Sequence, residues 1–276
     1  MGRPPTGDAP GLSFRHQRVQ RVRRLLRSHS ARQAERAFVL EGEKLLAEAV
    51  NAGVSVESVY LAPGASVGDS LLARAARVFD LAPGVMERVA DTVTPQPVLT
   101  VVPYVDTPLS AVENSTFVVV CVDLRDPGNA GTVLRSAEAA GAEGVVFCVG
   151  AVDVYNPKTV RASAGSLFHV PVVAGGEPVS VVRALGQRGL RTLGAVAHGG
   201  ADYAATDLTV PFALVVGNEA HGLPDTVTAV LDGAVTVPMA GRAESLNAGM
   251  ATAVLCFEAA RQRRNDAAAR HRRGGA

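Results

Sequence analysis

Short apolar runs alternate with helical patterns along the second half of the chain. The runs are rich in Val and have the length of strands buried on both faces of a sheet: residues 117–123, 144–149, 170–173, 190–197, 212–216 and 234–237. Helical patterns lie at residues 130–140, 157–167, 179–187, 224–231 and 245–264. This alternation predicts an α/β domain with a mostly parallel sheet, in which ligands bind beyond the carboxyl ends of the strands.

The first half of the chain has a different pattern. Residues 12–36 predict one basic amphipathic helix, because apolar residues recur at helical spacing among the arginines: Val19, Val22, Leu25 and Leu26. Further along, the pattern predicts strands at residues 38–40, 55–61 and 98–102 and helices at residues 42–52, 70–78 and 84–91. These elements predict a second, smaller α/β domain.

A Pro-rich stretch separates the two halves. Pro103 and Pro108 interrupt the periodic pattern, so we place a domain boundary near residues 106–114. The predicted organisation is a basic N-terminal extension (residues 1–30), a small α/β domain (31–108), a larger α/β domain (113–264) and a basic tail (265–276).

The composition predicts a soluble protein that is not exported. Of 276 residues, 47% are apolar and 19% are charged, which suffices for one large core or two modest ones. No apolar stretch reaches the roughly 18 residues that span a bilayer, and the Arg-rich start lacks the apolar segment of a signal peptide. Cys121, Cys148 and Cys256 are far apart and set in apolar runs, which indicates core residues in a reducing cytoplasm.

The net charge of +1 conceals an uneven distribution. Residues 1–36 contain nine Arg against Asp8 and Glu35, residues 258–276 contain six Arg against two acids, and the segment between them is acidic. Basic ends of this kind favour contact with a polyanion, because guanidinium groups bind phosphates well. Solvated termini that keep the protein soluble would explain the same charges.

The motifs of common α/β enzymes do not occur. The turn at residues 124–131 reads LRDPGNAG rather than GxGxxG, and the glycines of residues 217–222 are not followed by the Lys and Ser/Thr of a phosphate loop. Neither GxSxG nor HExxH is present, and the histidines are scattered. A standard dinucleotide site, nucleotide hydrolysis and zinc chemistry are therefore disfavoured.

Three polar clusters instead follow predicted strands: DPGNAGTVLR at residues 126–135, GNEAHG at residues 217–222 and PMAGRAESLN at residues 238–247. Each also has a purely structural explanation. Asn129 and Ser245 are good helix N-caps, Gly217 can end a strand, and Arg135 can be a surface residue.

Taken together and in this order, the clusters resemble the SpoU branch of the SPOUT methyltransferases, a family of tRNA and rRNA ribose 2'-O-methyltransferases. The similarity spans about residues 117–260 and includes DPGNAGTVLRSAEAAG, LVVGNEAHGL and VPMAGRAESLNAGMATAVLCFEAAR. NPKTVRASAGSLFHVPV, at residues 156–172, also looks like that family. Residues 32–103, with RAFVLEGEKLLAEAV and VTPQPVLTVV, are more loosely similar to the small RNA substrate-binding domain often found ahead of it.

The resemblance implies a fold, a cofactor and an assembly. It implies an α/β knot with a deep trefoil knot in its C-terminal part, S-adenosyl-L-methionine held in a bent form by the knot loops, a homodimer that uses the last helix, and no metal. Glycines would allow the close backbone approach that lets main-chain groups recognise the adenine. The implied cofactor residues are Ala197, His198, Gly199, Val216, Gly217, Asn218, Gly222, Val237, Pro238, Met239 and Leu246.

The resemblance also assigns a catalytic set: Arg135, Asn129, Glu219, Ser245 and Asn247. Family accounts treat the arginine as a general base. We favour an electrostatic role for Arg135 instead, with the RNA phosphate or Glu219 helping to remove the proton, because a guanidinium stays protonated far above neutral pH. The predicted RNA-binding residues are Arg15, Arg18, Arg21, Arg23, Arg24, Arg27, Lys158 and Arg161.

These observations predict an S-adenosylmethionine-dependent RNA ribose 2'-O-methyltransferase. Ribosomal RNA is favoured over transfer RNA, because an extra N-terminal domain suggests a large structured target. Extensive base stacking is not expected of a chain with eight Phe, four Tyr and no Trp. The alternative is a non-catalytic RNA-binding or ribosome-assembly protein on the same scaffold, and calorimetric absence of cofactor binding would favour it.

Overall fold

The computed structural model of the chain describes residues 11–90 and 92–274, which pack into two units. The first unit contains the described residues up to Val105 together with Tyr155–Phe168. The second contains Asp106–Val154 and the described residues from His169 onwards. Tyr155–Phe168 therefore packs with the first unit, although it lies within the sequence range predicted for the larger domain. The first ten residues of the predicted extension lie outside the described residues.

The first unit is built on a four-stranded sheet. Its strands are β1 (Ala37–Glu41), β2 (Ser58–Leu61), β3 (Val78–Asp80) and β4 (Val98–Pro103). They lie in the order β1–β4–β2–β3, with β4 antiparallel to both of its neighbours and β2 parallel to β3. The helices are α1 (Gln17–Arg27), α2 (His29–Glu35), α3 (Glu43–Asn51), α4 (Asp69–Leu72) and α5 (Val85–Val89).

The single basic helix predicted for residues 12–36 is wrong, because the structure contains two helices there. The first ends at Arg27, and Ser28 has an extended backbone. The Ser28 side chain accepts a hydrogen bond from the Ala31 N–H at 3.2 Å and so begins α2. The predicted apolar face is confirmed, since four residues of α1 are buried against the sheet: Val19, Val22, Leu25 and Leu26.

The helix predicted for residues 70–78 is also wrong beyond its first turn. The helix α4 ends at Leu72, and Val78–Asp80 forms the edge strand β3. Leu12 adds an isolated parallel bridge to Leu81 beside it. The Ala and Arg residues of this segment favour a helix locally, but pairing with β2 decides the conformation at its end.

The second unit is built on a seven-stranded parallel sheet, which confirms the predicted α/β class. The remaining elements along the chain are β5 (Phe117–Cys121), α6 (Pro127–Ala139), β6 (Gly144–Phe147), α7 (Pro157–Ser163), β7 (Val172–Ala174), α8 (Pro178–Gln187), β8 (Arg191–Ala195), β9 (Ala201–Asp202), β10 (Phe212–Val216), α9 (Asp225–Thr228), β11 (Gly233–Thr236) and α10 (Ala248–Gly274). The strand order is β7–β6–β5–β10–β8–β11–β9, and every neighbouring pair is parallel.

In this sheet β10 lies between β5 and β8, although it follows both of them in the sequence. The carboxyl ends of β5 and β10 therefore lie side by side, with Val216 opposite Cys121. In open parallel sheets such an edge is where ligands bind. Cys121, Cys148 and Cys256 are buried and free, as predicted for core residues.

Several predicted helices have other ends in the structure. The helix predicted for 157–167 stops at Ser163, because Ala164 and Gly165 have φ values of 52° and 104°. The helix predicted for 224–231 is shortened to α9, and the last helix begins at Ala248 rather than at Ser245. It continues to Gly274, so most of the predicted basic tail is helical. The short strand β9 had no signal in the sequence, because it has only two residues.

The helix α7 belongs to the first unit and packs against β1. The ring of Tyr155, just before this helix, lies 4.7 Å from the ring of Phe38. The Phe168 ring, after the helix, lies 6.3 Å from the same Phe38 ring. One aromatic residue of β1 thus holds both ends of the segment.

Candidate cofactor and RNA methylation site

The turn between β5 and α6 carries the first polar cluster. Asp126, rather than Asn129, caps α6, because its carboxylate accepts the main-chain N–H of Asn129 at 2.8 Å. Asn129 lies in the first turn of the helix and is buried. Asp123 adopts a left-handed backbone conformation with φ of 53°, which turns the chain sharply at the end of β5.

The loop after β10 carries the second cluster. Asn218 and Gly222 form an antiparallel bridge, with N···O distances of 2.9 and 3.0 Å, that closes a tight turn. The Asn218 side chain accepts hydrogen bonds from the N–H groups of Ala220 and His221 inside this turn. Gly217 is required here, because a Cβ at this position would lie 2.6 Å from the Leu223 nitrogen.

Glu219 joins the first two clusters. Its carboxylate accepts hydrogen bonds from the Asn129 side chain at 2.8 Å, from the Asp126 N–H at 3.1 Å and from the Arg125 N–H at 3.2 Å. Burial of this carboxyl opposes its charge, but the hydrogen bonds outweigh burial and hold the pKa of Glu219 below its ordinary value of 4.5. Glu219 is therefore ionised at neutral pH.

The third cluster ends at the start of α10. Asn247, rather than Ser245, caps this helix, because its side-chain oxygen accepts the N–H groups of Gly249 at 2.9 Å and Met250 at 3.3 Å. A Cβ added to Gly249 would lie 3.1 Å from Thr132 of α6. The first turn of α10 therefore packs closely on α6, on the side where the first cluster lies.

A cavity of about 430 Å³ opens where the loops after β8, β10 and β11 meet the start of α10. Apolar side chains form much of its wall, among them Leu223, Met239 and Leu255. Polar groups come from the Asn218–Glu219 turn and from Ser245. Its size and its mixture of apolar and polar groups are those of a site for a small organic ligand.

Comparison with known proteins assigns this chain to a family. A model described as the SpoU rRNA Methylase family matches residues 116–257, and one described as the MRM3-like substrate binding domain matches residues 16–100. The chain belongs to the SpoU rRNA methylase family. This confirms the resemblance seen in the sequence motifs.

Similar proteins span nearly the whole chain. The 23S rRNA (guanosine(2553)-2'-O)-methyltransferase RlmP of Bacillus subtilis is 32% identical over 89% of this chain and 96% of its own. The crystal structure of the SpoU methyltransferase AviRb from Streptomyces viridochromogenes, in complex with AdoMet, has a TM-score of 0.82 and 32% identity over 90% of this chain and 98% of its own. A 23S rRNA (uridine(2479)-2'-O)-methyltransferase of that organism is 43% identical over half of each chain.

The structure places most of the cofactor residues predicted from the SpoU resemblance on the cavity wall: Ala197, Val216, Gly217, Asn218, Gly222, Val237, Met239 and Leu246. His198, Gly199 and Pro238 lie in the same loops but outside this lining. Sequence reasoning missed Ala251 and Leu255, which line the cavity together with Ala248. These three positions recur at helical spacing on α10, and that signal could have identified them.

Some of the predicted catalytic residues lie at the cavity, and others do not. Glu219 and Ser245 line the cavity, and Asn129 reaches it through its hydrogen bond to Glu219. Arg135 is exposed on α6 and is not part of the cavity wall. It follows Thr132 by one helical turn, and so lies on the side of α6 that packs against the start of α10.

The predicted RNA-binding arginines in α1 and just before it divide into two groups. Arg21 donates to the carboxylates of Glu35 and Glu57, and Arg23 is half-buried with its guanidinium 5.7 Å from the Phe14 ring. These contacts stabilise the first unit. The others are exposed: Arg15, Arg18, Arg24 and Arg27.

The two predicted RNA-binding residues of α7 also differ. Lys158 is exposed. Arg161 donates to the buried carboxylate of Glu41 at 3.3 Å, and Glu41 also accepts from the Thr92 hydroxyl and the Gln96 N–H. Arg161 therefore neutralises a buried charge in the first unit.

Two further features are absent from residues 11–90 and 92–274. Within these ranges, no helix combines the length and hydropathy that a bilayer crossing requires. No group of three or more His, Cys, Asp or Glu side chains in the same ranges is arranged to hold a metal ion.

Proposed function

We propose that this protein transfers the methyl group of S-adenosyl-L-methionine to a ribose 2'-hydroxyl of 23S ribosomal RNA. One observation carries the proposal: Glu219 lines the cavity and at the same time binds the side chain of Asn129. The small-molecule site and the polar cluster of the SpoU motifs therefore share one wall. The activities of the two similar 23S rRNA 2'-O-methyltransferases agree with this arrangement.

The cavity residues fit S-adenosyl-L-methionine. Leu223, Met239 and Leu255 provide apolar surface for an adenine ring. Gly217 and Gly222 also line the wall, and the absence of side chains there leaves their main-chain groups accessible. When bound, the cofactor supplies an electrophilic methyl group on a sulfonium. We propose that the loops after β8, β10 and β11 hold it, with Gly217, Val237 and Leu246 contacting the adenine.

Arg135 is the residue that we propose acts on the ribose hydroxyl. A guanidinium is always charged at neutral pH, so it lowers the energy of the alkoxide that develops as the hydroxyl loses its proton. Its exposure on α6, beside the start of α10, leaves it accessible to a substrate. The Asn129 side chain on the same helix donates to Glu219, and the Asn247 side chain caps the start of α10.

Glu219 is better suited to holding the site together than to removing the proton. Its pKa lies below the ordinary value, and its oxygens are occupied by Asn129 and by the main chain of Arg125 and Asp126. A carboxylate with a lowered pKa is a weak base at neutral pH. Because the Glu219 oxygens are already occupied, we propose that the RNA phosphate only relays the proton to water, since a phosphodiester is too weak a base to keep it, while Arg135 stabilises the alkoxide.

We propose that the exposed arginines of α1 and Lys158 capture RNA by its phosphates. Arg15, Arg18, Arg24 and Arg27 are exposed, so their charge can reach a phosphate. The ion pair of Arg24 with Glu35 is long, at 3.8 Å, whereas Arg21 and Arg161 donate hydrogen bonds to carboxylates of the chain. Contacts of this type position an RNA without reading its sequence.

We also propose the knot, the homodimer and the cytoplasmic location implied by the family resemblance. The insertion of β10 between β5 and β8, followed by β11 between β8 and β9, supports a threaded C-terminal part. The exposed Met250 and Phe257 lie two turns apart on α10 and support a dimer contact through this helix. A cytoplasmic enzyme would meet ribosomal RNA during ribosome assembly.

Mapping ribose methylation tests the proposal. Ribosomal RNA from a strain that lacks this gene should miss one 2'-O-methyl group, and the purified protein with S-adenosyl-L-methionine should restore it in vitro. The Arg135→Ala variant should bind the cofactor with unchanged affinity and lose about 10²- to 10³-fold in rate. Unchanged methylation in the mutant strain would contradict the proposed reaction.

Calorimetry with the purified protein distinguishes the proposed enzyme from the alternative, non-catalytic function. A non-catalytic RNA-binding or assembly protein would bind ribosomal RNA but give no calorimetric signal with S-adenosyl-L-methionine. Replacing Arg135 by Lys and following the rate against pH separates the two roles of this residue. An activity that titrates with a pKa set by residue 135 would contradict the electrostatic role and favour the general base.

A further inference from the structure

Arg125 is a second cation at the candidate site, and neither the resemblance nor the motifs singled it out. Its main-chain N–H donates to Glu219, which fixes its backbone at the joint between the first two polar clusters. Its guanidinium is ion-paired with the Asp123 carboxylate at 2.5 Å. The side chain is nevertheless 65% exposed.

Asp123 holds this arginine and the cofactor loop with one carboxylate. Its Oδ1 pairs with Arg125, while its Oδ2 accepts a hydrogen bond from the Asn218 side chain at 3.1 Å. Asn218 lines the cavity. Asp123 thus links the Arg125 guanidinium to Asn218, a residue of the cavity wall that we propose holds the cofactor.

Three carboxylates surround Arg125, and a cation among them reduces the repulsion that an approaching phosphate would meet. Asp123, Asp126 and Glu219 form one connected network through Arg125, Asn129 and Asn218. A ribose that reaches this network brings its own phosphates, and those phosphates are repelled by the three carboxylates. A guanidinium among these carboxylates reduces that repulsion and can bind the phosphate as well.

Arg125 also has donors to spare. A guanidinium carries five N–H groups, and in Arg125 the Nη2 atom is the one paired with Asp123. Arg21 differs, because Nε, Nη1 and Nη2 all donate to carboxylates. The planar fork of a partly engaged guanidinium suits a phosphate oxygen pair.

We propose that Arg125 binds a backbone phosphate of the RNA next to the target ribose and so positions the 2'-hydroxyl. Asp123 acts through it as a positioning residue that orients the guanidinium. This inference rests on the proposed function for its substrate. Because the contact is to phosphate, it contributes affinity and position rather than sequence specificity.

The test compares Arg125→Ala with Arg125→Lys and with a matched control, Arg188→Ala. Arg188 is also exposed in the second unit and paired with one carboxylate, that of Glu113 at 3.0 Å. Binding of an unmodified 23S rRNA transcript is measured against salt concentration, together with methylation kinetics, cofactor affinity by calorimetry and the melting temperature.

We expect Arg125→Ala to weaken transcript binding about tenfold at low salt and to lower the slope of log Kd against log salt by about 1. The KM for RNA should rise because the phosphate contact is lost, and kcat should fall as well because the 2'-hydroxyl is no longer held in place. Cofactor affinity should be unchanged. Arg125→Lys should keep the salt slope, because the charge remains, and Arg188→Ala should behave as the unmodified protein.

Equal salt slopes for Arg125→Ala and Arg188→Ala would overturn the inference and leave Arg125 as a structural partner of Asp123. A failure of the proposed function looks different. In that case the unmodified protein binds the transcript but methylates nothing, and the binding measurements still decide the role of Arg125. If Arg125→Ala lowers the melting temperature, its weaker RNA binding could come from lost stability. Arg125→Lys then decides, because it keeps the charge and its salt slope must equal that of the original protein.

Discussion

At the scale of single residues, the candidate site depends on a few positions where the chain has no freedom. Gly217 is one, because its backbone touches that of Gly222 and Leu223. Glu219 is another, because three hydrogen bonds from α6 and the turn before it converge on one carboxylate. Changes at these positions should therefore alter ligand binding, and at Glu219 they should lower stability as well.

The substitution Gly217→Ala should weaken binding of S-adenosyl-L-methionine by tenfold or more. The new Cβ would lie 2.6 Å from the Leu223 nitrogen, so the turn on the cavity wall must open. Gly241→Ala is the matched control, since a Cβ there meets nothing within 4 Å. Calorimetric titration of both variants measures the effect, and equal affinities would show that this turn does not shape the cofactor site.

Glu219 gives a prediction for acid stability. Its folded-state pKa is lowered by hydrogen bonds that outweigh burial, so its stabilising effect is complete above pH 4.5 and is lost as the pH falls through the folded-state pKa. The melting temperature of the unmodified protein should therefore exceed that of Glu219→Gln at pH 7, and the difference should shrink below about pH 4.5. Glu244→Gln, at an exposed position, serves as the control. A difference that grows on acidification would contradict this assignment.

At the scale of elements, the corner between α1 and α2 shows how one side chain decides a break. Arg32 is only 3% exposed, and its guanidinium donates to the carbonyls of Leu25 at 2.7 Å and Leu26 at 3.4 Å. Those carbonyls end α1 and lack helical partners. The buried arginine thus stabilises the C-terminal end of one helix from inside the next.

Arg32→Ala should lower the free energy of unfolding of the first unit by about 1–3 kcal/mol, because two buried carbonyls lose a charged donor. Three of the four tyrosines lie in this unit (Tyr60, Tyr104 and Tyr155) and the chain has no Trp, so tyrosine fluorescence during urea unfolding reports mainly on it. The neighbouring exposed position gives the control, Gln33→Ala. Identical urea midpoints for the two variants would contradict the role of Arg32.

At the scale of the whole molecule, α10 links the cavity to an exposed apolar face. Its first turns line the cavity and pack against α6, while Met250 and Phe257 are exposed, at 59% and 48%. Ala253 and Val254 lie between them on the same helix face and are partly exposed, so the apolar surface is continuous along two turns. The proposed homodimer would cover them.

Phe257→Glu should convert the proposed dimer into a monomer without unfolding it, because this side chain is already exposed in the single chain. Light scattering during gel filtration measures the mass. Val210→Glu is the control, since Val210 is 39% exposed and lies outside α10. A Phe257→Glu variant that retains the dimer mass would place the interface elsewhere.

The sequence by itself determined features that depend on neighbours along the chain. Periodicity predicted the parallel sheet of the second unit and the buried face of α1, and the order of three polar clusters identified the family. These features are local, because hydrophobic spacing and turn residues act within a few positions. The predicted elements were wrong where the helix preference of a segment competed with strand pairing, as in the segment that ends in β3.

Only the tertiary structure decided which charges meet. Asn129 and Glu219 are 90 residues apart, and Arg161 and Glu41 are 120 residues apart. The sequence pattern predicted RNA binding for Arg21 and Arg161 and assigned no role to Arg125. The structure separates arginines that neutralise buried or crowded carboxylates from those with donors left for a phosphate. The physical reason is that ion pairs depend on distance in space and on burial, and neither is a function of spacing along the chain.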